Sequence, residues 1–449
     1  MLYRKIESYI LDYLKSQSNK ILTIDGARQI GKSFIIRHAC QQLFKNYIEI
    51  NFAEDKIGAR LFTNVGTVED FYLQLSSIAG KKMGDKSNTI IFLDEIQEYP
   101  HLLTLFKFLK ADNRYNYIAS GSLLGVTLGK TSSIPMGSIE IKQMYPLDFE
   151  EFLIANGFGT MAIDAMRNAF KAKESLNESL HNKVMDLFRK YLLVGGLPDA
   201  VNTFLATKNI VQVRAIQSDI HDLYSADAAK YDTENRLKIR RIYEMLPSTM
   251  ENKKKRVVIK DIEGKKGKRF SDYEDEFDYL INAGISLEVK AISTPTFPLI
   301  QSSGKNLLKL YLNDVGLLTN ILYRHNIQAV MEDQCSINLG SVYECVVASE
   351  LKAHGHNLFY YDNKNKGEVD FLIDDYQNLS VAPIEVKSGK DYNIHSALNL
   401  FVANQDYHIK CGYVLSNHPN VKIEGNIIYM PIYYIMFFSD MQAEPVFLE

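Results

Sequence analysis

Three charged side chains interrupt two short apolar runs in the stretch GEVDFLIDDYQNLSVAPIEVKSGK, residues 367–390. Asp370 lies in the run VDFLI, whereas Glu385 and Lys387 lie in the run APIEVK. The two runs predict neighbouring strands of a hairpin, and Glu385 and Lys387 share one face because strand side chains alternate. Charged side chains are seldom buried in a sheet unless they are paired or bind a metal. The spacing therefore predicts a small charged site on this sheet.

The chemistry that fits this site is metal-assisted attack on a phosphodiester. Asp370 and Glu385 on adjacent strands would hold a divalent cation against the scissile phosphate. Lys387 would orient or activate the attacking water and offset developing negative charge. Glu344, on the preceding helical segment, would support the metal. The alternative is a satisfied ion-pair network without chemistry, because a domain can keep an enzyme's fold and lose its activity.

A second set of residues suits the binding of a nucleotide phosphate. The octapeptide GARQIGKS, residues 26–33, matches G-x-x-x-x-G-K-[ST] and lies between a strand-like run, ILTI, and a helical pattern. In such a loop the backbone N–H groups surround a phosphate, Lys32 reaches the β- and γ-phosphates, and the Ser33 hydroxyl ligates Mg²⁺. We predict a site for ATP and Mg²⁺ with contacts from Gly26, Ala27, Arg28, Gln29, Ile30, Gly31, Lys32, Ser33 and Phe34.

Two acids after the next apolar run complete this predicted site. The stretch NTIIFLDEIQEYP places Asp94 and Glu95 where a buried strand ends. We predict that Asp94 holds Mg²⁺ through water and that Glu95 is the general base for the attacking water. A later strand, YNYIASGSLLG, offers Ser120 or Ser122 as a hydrogen-bonding sensor of the γ-phosphate, and we take Ser122 as the catalytic candidate.

The elements that position these residues predict several domains. A length of 449 residues favours two or three domains, and 46% hydrophobic with 23% charged residues is typical of a soluble globular chain. The net charge of −3 neither favours nor excludes nucleic acid. Four cysteines without a CxxC pair suit a reducing compartment. The N-terminal segment is unlike a signal peptide, and the run IIYMPIYYIMFF falls short of a spanning helix, so we expect a cytoplasmic protein without a membrane partner.

Together these features resemble one family, the prokaryotic AAA-type ATPases that carry a C-terminal domain of unknown function, number 4143. The resemblance covers nearly the whole chain and rests on the segments GARQIGKS, IIFLDEIQEYP, SGSLLG, MYPLDFEEFL, YLLVGGLPDAV and KLYLNDVGLL, in this order. It implies a helical lid after the ATPase core and a C-terminal domain similar to PD-(D/E)xK nucleases, with Glu344, Asp370, Glu385 and Lys387 at its centre.

Two departures from the family pattern concern the nucleotide site. Ala27 stands where the family commonly has proline, which should be harmless. The pair Gly137-Ser138 stands where the family commonly has Gly-Arg before the fifth strand. If that arginine stabilises charge on the γ-phosphate, its role must pass to Arg28 or to an arginine from a neighbouring subunit. A homo-oligomer is therefore a candidate assembly.

The region between the lid and the C-terminal domain has helices followed by two strand-like runs, LEVKAIS and LLKLYLN, which is the pattern of a winged helix. A winged helix would place its recognition helix against DNA. The candidate helix carries acids at five positions, which suit phosphates poorly and favour a protein-docking element; they are Asp272, Glu274, Asp275, Glu276 and Asp278.

The predicted fold is α/β with four parts. They are a P-loop (AAA/ASCE-type) parallel-sheet ATPase core at 1–155, a helical lid at 156–250, a winged-helix-like connector at 251–325 and an α/β nuclease-like domain at 326–449. The predicted function is ATP binding and hydrolysis that controls a nuclease-like domain directed at DNA or RNA. The alternative is an ATP-driven switch or scaffold whose inert nuclease-like domain binds a protein or nucleic-acid partner.

Overall fold

The computed structural model describes residues 1–16, 18–124, 137–230, 236–252, 255–263, 267–302, 307–332, 339–363, 365–389 and 395–439. Three positions of the predicted motifs lie outside these residues: Gly125 of SGSLLG, Asn338 near the expected start of the C-terminal domain, and Lys390. The chain divides into two compact units. The first comprises Met1–Tyr145 and Phe277–Ile285, and the second comprises Pro146–Glu276 and Ser286–Glu449.

The first unit contains a five-stranded parallel sheet. Its strands, in the spatial order β2-β3-β4-β1-β5, are β1 (Ile21–Asp25), β2 (Asn46–Asn51), β3 (Thr89–Asp94), β4 (Asn116–Gly121) and β5 (Ile139–Gln143). The helices of this unit are Lys5–Lys15, Lys32–Leu43, Phe52–Ile57, Val68–Ala79 and Leu102–Asp112, with 3₁₀ turns at Gly80–Lys82, Lys86–Asn88 and Ile96–Glu98. The predicted P-loop α/β fold is confirmed.

Continuous apolar runs explain why this sheet is parallel and buried. Every residue of β1 and of β3 is buried, as expected for strands covered on both faces. The register pairs Asp25 with Gly121 and Asn51 with Asp94, so these strands end at one edge of the sheet. The crevice at the carboxyl ends of parallel strands is where such folds bind ligands. The fold thus brings the loops after β1, β3 and β4 to one place.

The second unit combines a group of helices with an eight-stranded mixed sheet. The strands, in the order β12-β13-β11-β10-β9-β8-β6-β7, are β6 (Ser286–Ile292), β7 (Leu308–Leu312), β8 (Phe359–Asn363), β9 (Gly367–Asp375), β10 (Ser380–Val386), β11 (Gly412–Ser416), β12 (Lys422–Glu424) and β13 (Ile427–Pro431). The helices are Phe149–Ala155, Thr160–Ala172, Glu178–Val194, Pro198–Thr207, Ile210–Lys230, Arg236–Glu251, Ile259–Glu263, Val315–Tyr323, Gln328–Met331, Gly340–Ala353 and Ser396–Ala403. The helix Glu274–Asn282 begins in this unit.

The hairpin predicted from the charged stretch forms as β9 and β10. These strands are antiparallel, with Phe371 opposite Ile384, so Asp370 and Glu385 come from adjacent strands. The two strands of the predicted connector, β6 and β7, also pair with each other, and β6 pairs with β8. They form one end of the same eight-stranded sheet, and the winged-helix-like character of the connector stays a prediction. Among the described residues, no helix is long and apolar enough to cross a membrane.

Candidate functional site

The loop Gly26–Gly31 connects β1 to the helix Lys32–Leu43 in the first unit. Gly26 has φ +149°, and a Cβ at this position would lie 2.3 Å from the backbone oxygen of Met144. Only glycine fits here without moving the backbone. Gly284, from the separate segment 277–285, also lies against the loop, since its Cβ would lie 3.0 Å from the Ala27 nitrogen. The loop is therefore held in shape by backbone from distant parts of the chain.

Lys32 lies at the start of the helix, with its side chain folded over the loop. Its Nζ donates hydrogen bonds to the carbonyl oxygens of Gly26 and Ala27 at 2.9 and 2.8 Å. Burial lowers the pKa of the Lys32 ammonium from its ordinary value. The nearby carboxylates of Glu95, Asp25 and Asp94 oppose this shift. A cation in this position is placed to meet a phosphate that enters the loop.

Ser33, Asp94 and Ser120 form a hydrogen-bonded group beside Lys32. The Ser33 hydroxyl donates to the Asp94 carboxylate, with 2.9 Å to Oδ2, and the Ser120 hydroxyl donates to Oδ1 of the same carboxylate. Burial raises the pKa of Asp94, whereas the Ser120 hydrogen bond lowers it. Adjacent hydroxyl and carboxylate oxygens are the ligands that Mg²⁺ prefers. These residues fit Mg²⁺. Ser33 and Asp94 also line a cavity of about 520 Å³, together with Arg37, Glu49, Asn51 and Glu54.

Glu95 follows Asp94 in the left-handed conformation, with φ +56°. Gln97 Nε2 donates to the Glu95 carboxylate and, at 3.2 Å, to the hydroxyl of Ser122. Ser122 in turn donates its backbone N–H to Gln97 Oε1 at 3.2 Å, and its hydroxyl lies 3.5 Å from Arg28 Nε. Gln97 therefore joins the candidate base to the candidate sensor residue and holds both in fixed positions.

The charged residues of the second unit converge, as their spacing predicts. Lys387 Nζ donates to Glu385 Oε1 at 2.8 Å, and the backbone N–H of Val386 donates to Asp370 Oδ2 at 2.8 Å. On the helix Gly340–Ala353, Glu344 Oε2 accepts a hydrogen bond from the Tyr311 hydroxyl at 2.7 Å. We call Glu344, Asp370, Glu385 and Lys387 the acidic cluster, since three of its four members are carboxylic acids.

The three acids of this cluster interact electrostatically. Burial, followed by the neighbouring carboxylates of Glu385 and Glu344, raises the pKa of Asp370 well above its ordinary value. Burial also raises the pKa of Glu385, which the Lys387 ammonium partly opposes. Like charges in one buried site disfavour ionisation of each member, and a divalent cation would relieve the repulsion. The three acids thus lie close enough to oppose one another's ionisation, and the Lys387 ammonium offsets part of this effect on Glu385.

Two lysines that the spacing did not indicate also reach the cluster. Lys255 forms an ion pair with Glu344 Oε1. Lys309, whose side chain is fully buried, pairs with Glu368 at 2.5 Å. Although burial alone would raise the pKa of Glu344, the ammonium groups of Lys255 and Lys309 hold it below its ordinary value. Part of the negative charge is therefore compensated by the chain itself.

Comparison with known proteins assigns most of the chain to three families of domains. Residues 18–153 match the model of an AAA domain, residues 185–327 match a domain of unknown function, DUF8612, and residues 339–435 match DUF4143. The chain carries an AAA-type P-loop ATPase domain and a C-terminal DUF4143 domain. The DUF8612 match overlaps the regions predicted as lid and connector in this ATPase. No curated protein matches the chain.

Solved structures add only distant similarities to this ATPase. A Walker-type ATPase of Pyrococcus abyssi has 14% identity and a TM-score of 0.43, covering 71% of this chain and 95% of that one. Cdc6p from Pyrobaculum aerophilum has 11% identity and a TM-score of 0.26, with 74% and 94% covered. The RuvB Holliday junction branch migration motor of Thermotoga maritima has 14% identity and a TM-score of 0.29, with 64% and 89% covered. At these TM-scores the assignment rests on the family models alone.

The fold brings the residues of the predicted nucleotide site together. It also places Gln97, which no motif indicates, between two of them. Phe34 is 56% exposed and Gln29 is also exposed, whereas Ala27 and Ile30 are buried. Of the two candidate serines, Ser120 contacts Asp94 and Ser122 contacts Gln97. Gln97 itself was missed, although its position two residues after Glu95 is a signal that could have drawn attention to it.

We expect Gln97→Ala to lower the ATP turnover rate by up to about a hundredfold while leaving ATP affinity unchanged. Gln97 contacts Glu95 and Ser122, and a misplacement of about 1 Å at a catalytic group can cost that much. Steady-state kinetics and equilibrium binding of a labelled ATP analogue measure the two quantities. Gln41→Ala, at an exposed position of the helix Lys32–Leu43, is the matched control. Equal turnover in the two variants would remove Gln97 from the mechanism.

Proposed function

We propose that this protein binds ATP with Mg²⁺ in the first unit and hydrolyses it. The observation that supports this most directly is the Ser33–Asp94 contact of 2.9 Å beside the buried Lys32. Lys32 would bind the β- and γ-phosphates, and Ser33 and Asp94 would hold the metal. When bound by Ser33 and Asp94, Mg²⁺ would offset the negative charge that develops on the phosphate.

The proposed catalytic step uses Glu95 as the base. Its carboxylate would accept a proton from the attacking water as the water oxygen bonds to the γ-phosphorus and the bond from that phosphorus to the leaving ADP oxygen breaks. Gln97 would keep this carboxylate oriented, and Ser122 would donate a hydrogen bond to the γ-phosphate or to the water. Backbone N–H groups of the loop Gly26–Gly31 would stabilise the phosphate oxygens in the orientation that attack requires.

We expect specific ATPase activity to rise with protein concentration. Ser138 occupies the position where an arginine is expected, and an arginine supplied in trans is worth about 10³–10⁵ in turnover in other phosphoryl-transfer systems. Activity per subunit is measured across the concentration range in which light scattering detects assembly. A flat profile would contradict this expectation. If Arg28→Ala then abolished turnover, Arg28, which lies 3.5 Å from Ser122, would supply the charge within one chain.

We further propose that the nucleotide state controls the acidic cluster of the DUF4143 domain and that this cluster acts on DNA or RNA. The support is the convergence of Asp370, Glu385 and Glu344 with Lys387 one strand step from Glu385. Two carboxylates and a lysine around a cation suit in-line attack on a phosphodiester. The second candidate function is an ATP-driven switch whose inert cluster stabilises a surface for a protein or nucleic-acid partner. The ion pair of Lys255 with Glu344 favours it, because that ammonium neutralises an acid that a metal would need.

Incubation with nucleic acid separates the two candidates. The full-length protein is mixed with plasmid DNA, single-stranded DNA or RNA, with and without ATP, and with Mg²⁺ or Mn²⁺. Cleavage that Lys387→Ala abolishes and that Lys422→Ala, at an exposed position of β12, retains would establish the nuclease. Intact substrate in every lane, with binding detected by gel shift or partner capture, would favour the switch.

A further inference from the structure

Three side chains outside both sites meet within the second unit: Asp148, Glu350 and His354. One carboxylate oxygen of each acid and one imidazole nitrogen of His354 all lie within 4.8 Å of one another. We propose that these three residues form a binding site for a transition-metal dication of the Zn²⁺ class, separate from the ATP site and from the acidic cluster. We call this group the His354 site.

Regular secondary structure positions all three side chains of the His354 site. Glu350 lies on the helix Gly340–Ala353, and His354 is the C-cap of that helix. Residues four apart lie on one face of a helix, so both side chains point the same way. Asp148 is the N-cap of the helix Phe149–Ala155, where a capping box with Glu151 fixes its rotamer. The two helices therefore position all three side chains.

In each of the three side chains, one polar atom contacts a backbone group. This contact directs the other polar atom towards the other two side chains. Asp148 Oδ1 accepts the backbone N–H of Glu151 at 2.9 Å, and Glu350 Oε1 accepts that of Phe149 at 2.7 Å. His354 Nδ1 lies 3.0 Å from the carbonyl oxygen of Phe438. Because a carbonyl only accepts, Nδ1 carries the proton, as it does in histidines that bind metals through Nε2.

The distances from His354 Nε2 to the two carboxylates suit ligands of one shared metal ion better than direct hydrogen bonds. His354 Nε2 lies 3.4 Å from Asp148 Oδ2 and 3.8 Å from Glu350 Oε2. N–H···O hydrogen bonds are usually about 2.7–3.2 Å long. Two ligands that bind one tetrahedral zinc with bonds of about 2.0–2.1 Å are separated by about 3.3–3.4 Å. The two separations from His354 Nε2 are therefore close to those of ligands on one cation, and the two carboxylate oxygens lie within 4.8 Å of each other.

The ligand types select the class of metal. An imidazole nitrogen with two carboxylate oxygens suits Zn²⁺, Mn²⁺, Fe²⁺ or Co²⁺, whereas Mg²⁺ and Ca²⁺ prefer oxygen alone. The side chains of Asp148, Glu350 and His354 are exposed by only 6%, 0% and 8%, so the site is nearly closed. With three protein ligands, a fourth coordination position would remain for a water molecule. The metal would tie the start of the helix Phe149–Ala155 to the end of the helix Gly340–Ala353.

The competing explanation is that a protonated His354 pairs with both carboxylates and that no metal binds. Metal titration of the full-length protein distinguishes the two. Chelator-treated wild type is titrated with ZnCl₂ against a chromophoric chelator, and we expect one tight equivalent per chain. His354→Gln and Glu350→Gln should each weaken that equivalent by at least about a hundredfold, since losing a direct ligand exceeds the 10–100-fold cost of an outer-shell change.

Two variants serve as controls for the other acidic sites. Asp94→Asn and Asp370→Asn should retain the tight equivalent, because neither residue belongs to the His354 site. Zinc K-edge absorption of the loaded wild type should show oxygen and nitrogen ligands with one imidazole and no sulfur, a result that does not depend on whether any variant folds. The proposal is overturned if wild type binds no tight zinc, if His354→Gln and Glu350→Gln bind it as wild type does, or if sulfur appears in the spectrum.

Discussion

Glu95→Gln is expected to bind ATP as tightly as wild type and to hydrolyse it at least about a hundredfold more slowly. A positioned general base typically contributes 10²–10⁴ to the rate, and a glutamine amide cannot accept the proton from the attacking water. Binding should persist because the phosphates would be held by Lys32 and the loop, whose geometry does not depend on the charge of Glu95. Single-turnover hydrolysis and equilibrium binding of labelled ATP measure the two effects.

Two further variants serve as controls, one expected to lose ATP binding and one expected to behave as wild type. Lys32→Ala should abolish tight ATP binding, because Lys32 Nζ is the ammonium that lies within the loop, 2.8–2.9 Å from its carbonyl oxygens. Glu98→Gln removes a carboxylate three residues from Glu95 that pairs with Lys56 instead, so it should behave as wild type. If Glu95→Gln and Glu98→Gln hydrolyse ATP equally fast, Glu95 is not the base.

Mg²⁺ added without nucleotide should raise the melting temperature of wild type but not that of Asp370→Asn/Glu385→Gln. A ligand that binds only the folded state stabilises it by RT ln(1 + [L]/Kd), about 2.7 kcal/mol at a hundredfold excess over Kd. Nucleotide is left out because the ATP site would take up Mg²⁺ mainly as an ATP complex. Mg²⁺ is the cleaner probe, since it suits the imidazole of the His354 site poorly.

The stabilisation by metal should also grow with pH. The pKa of Asp370 is raised in the folded state, so at low pH the carboxyl is protonated and offers a poor ligand. As pH rises through that pKa, Asp370 loses its proton beside Glu385 and Glu344, the repulsion destabilises the metal-free protein, and a bound cation offsets this loss of stability. The control variant Asp375→Asn/Glu424→Gln also removes one aspartate and one glutamate charge, but outside the acidic cluster. It should respond to metal as wild type does. An equal response in Asp370→Asn/Glu385→Gln would mean that the acidic cluster binds no metal, and the switch would then be the better proposal.

The sequence by itself determined the loop of the ATPase core, and it predicted the three strand residues of the acidic cluster, Asp370, Glu385 and Lys387. Gly26, Lys32 and Ser33 lie within eight consecutive residues, and the loop needs them at fixed offsets, so the pattern is readable without a structure. Alternation along β10 likewise places Glu385 and Lys387 on one face. In both cases the requirement is local: it concerns the backbone conformation and side-chain direction of neighbouring residues.

Only the tertiary structure decided which residues distant in the sequence contact the residues of these sites. Lys255 lies 89 positions from its partner Glu344, and Phe149 lies 201 positions from Glu350, so no spacing rule links them. Gln97 likewise contacts Ser122, which lies 25 positions later in the chain, directly after β4. Pairing over such separations is set by how helices and strands pack. Burial in that packing, which no short segment specifies, fixes the pKa values of Asp94 and Asp370.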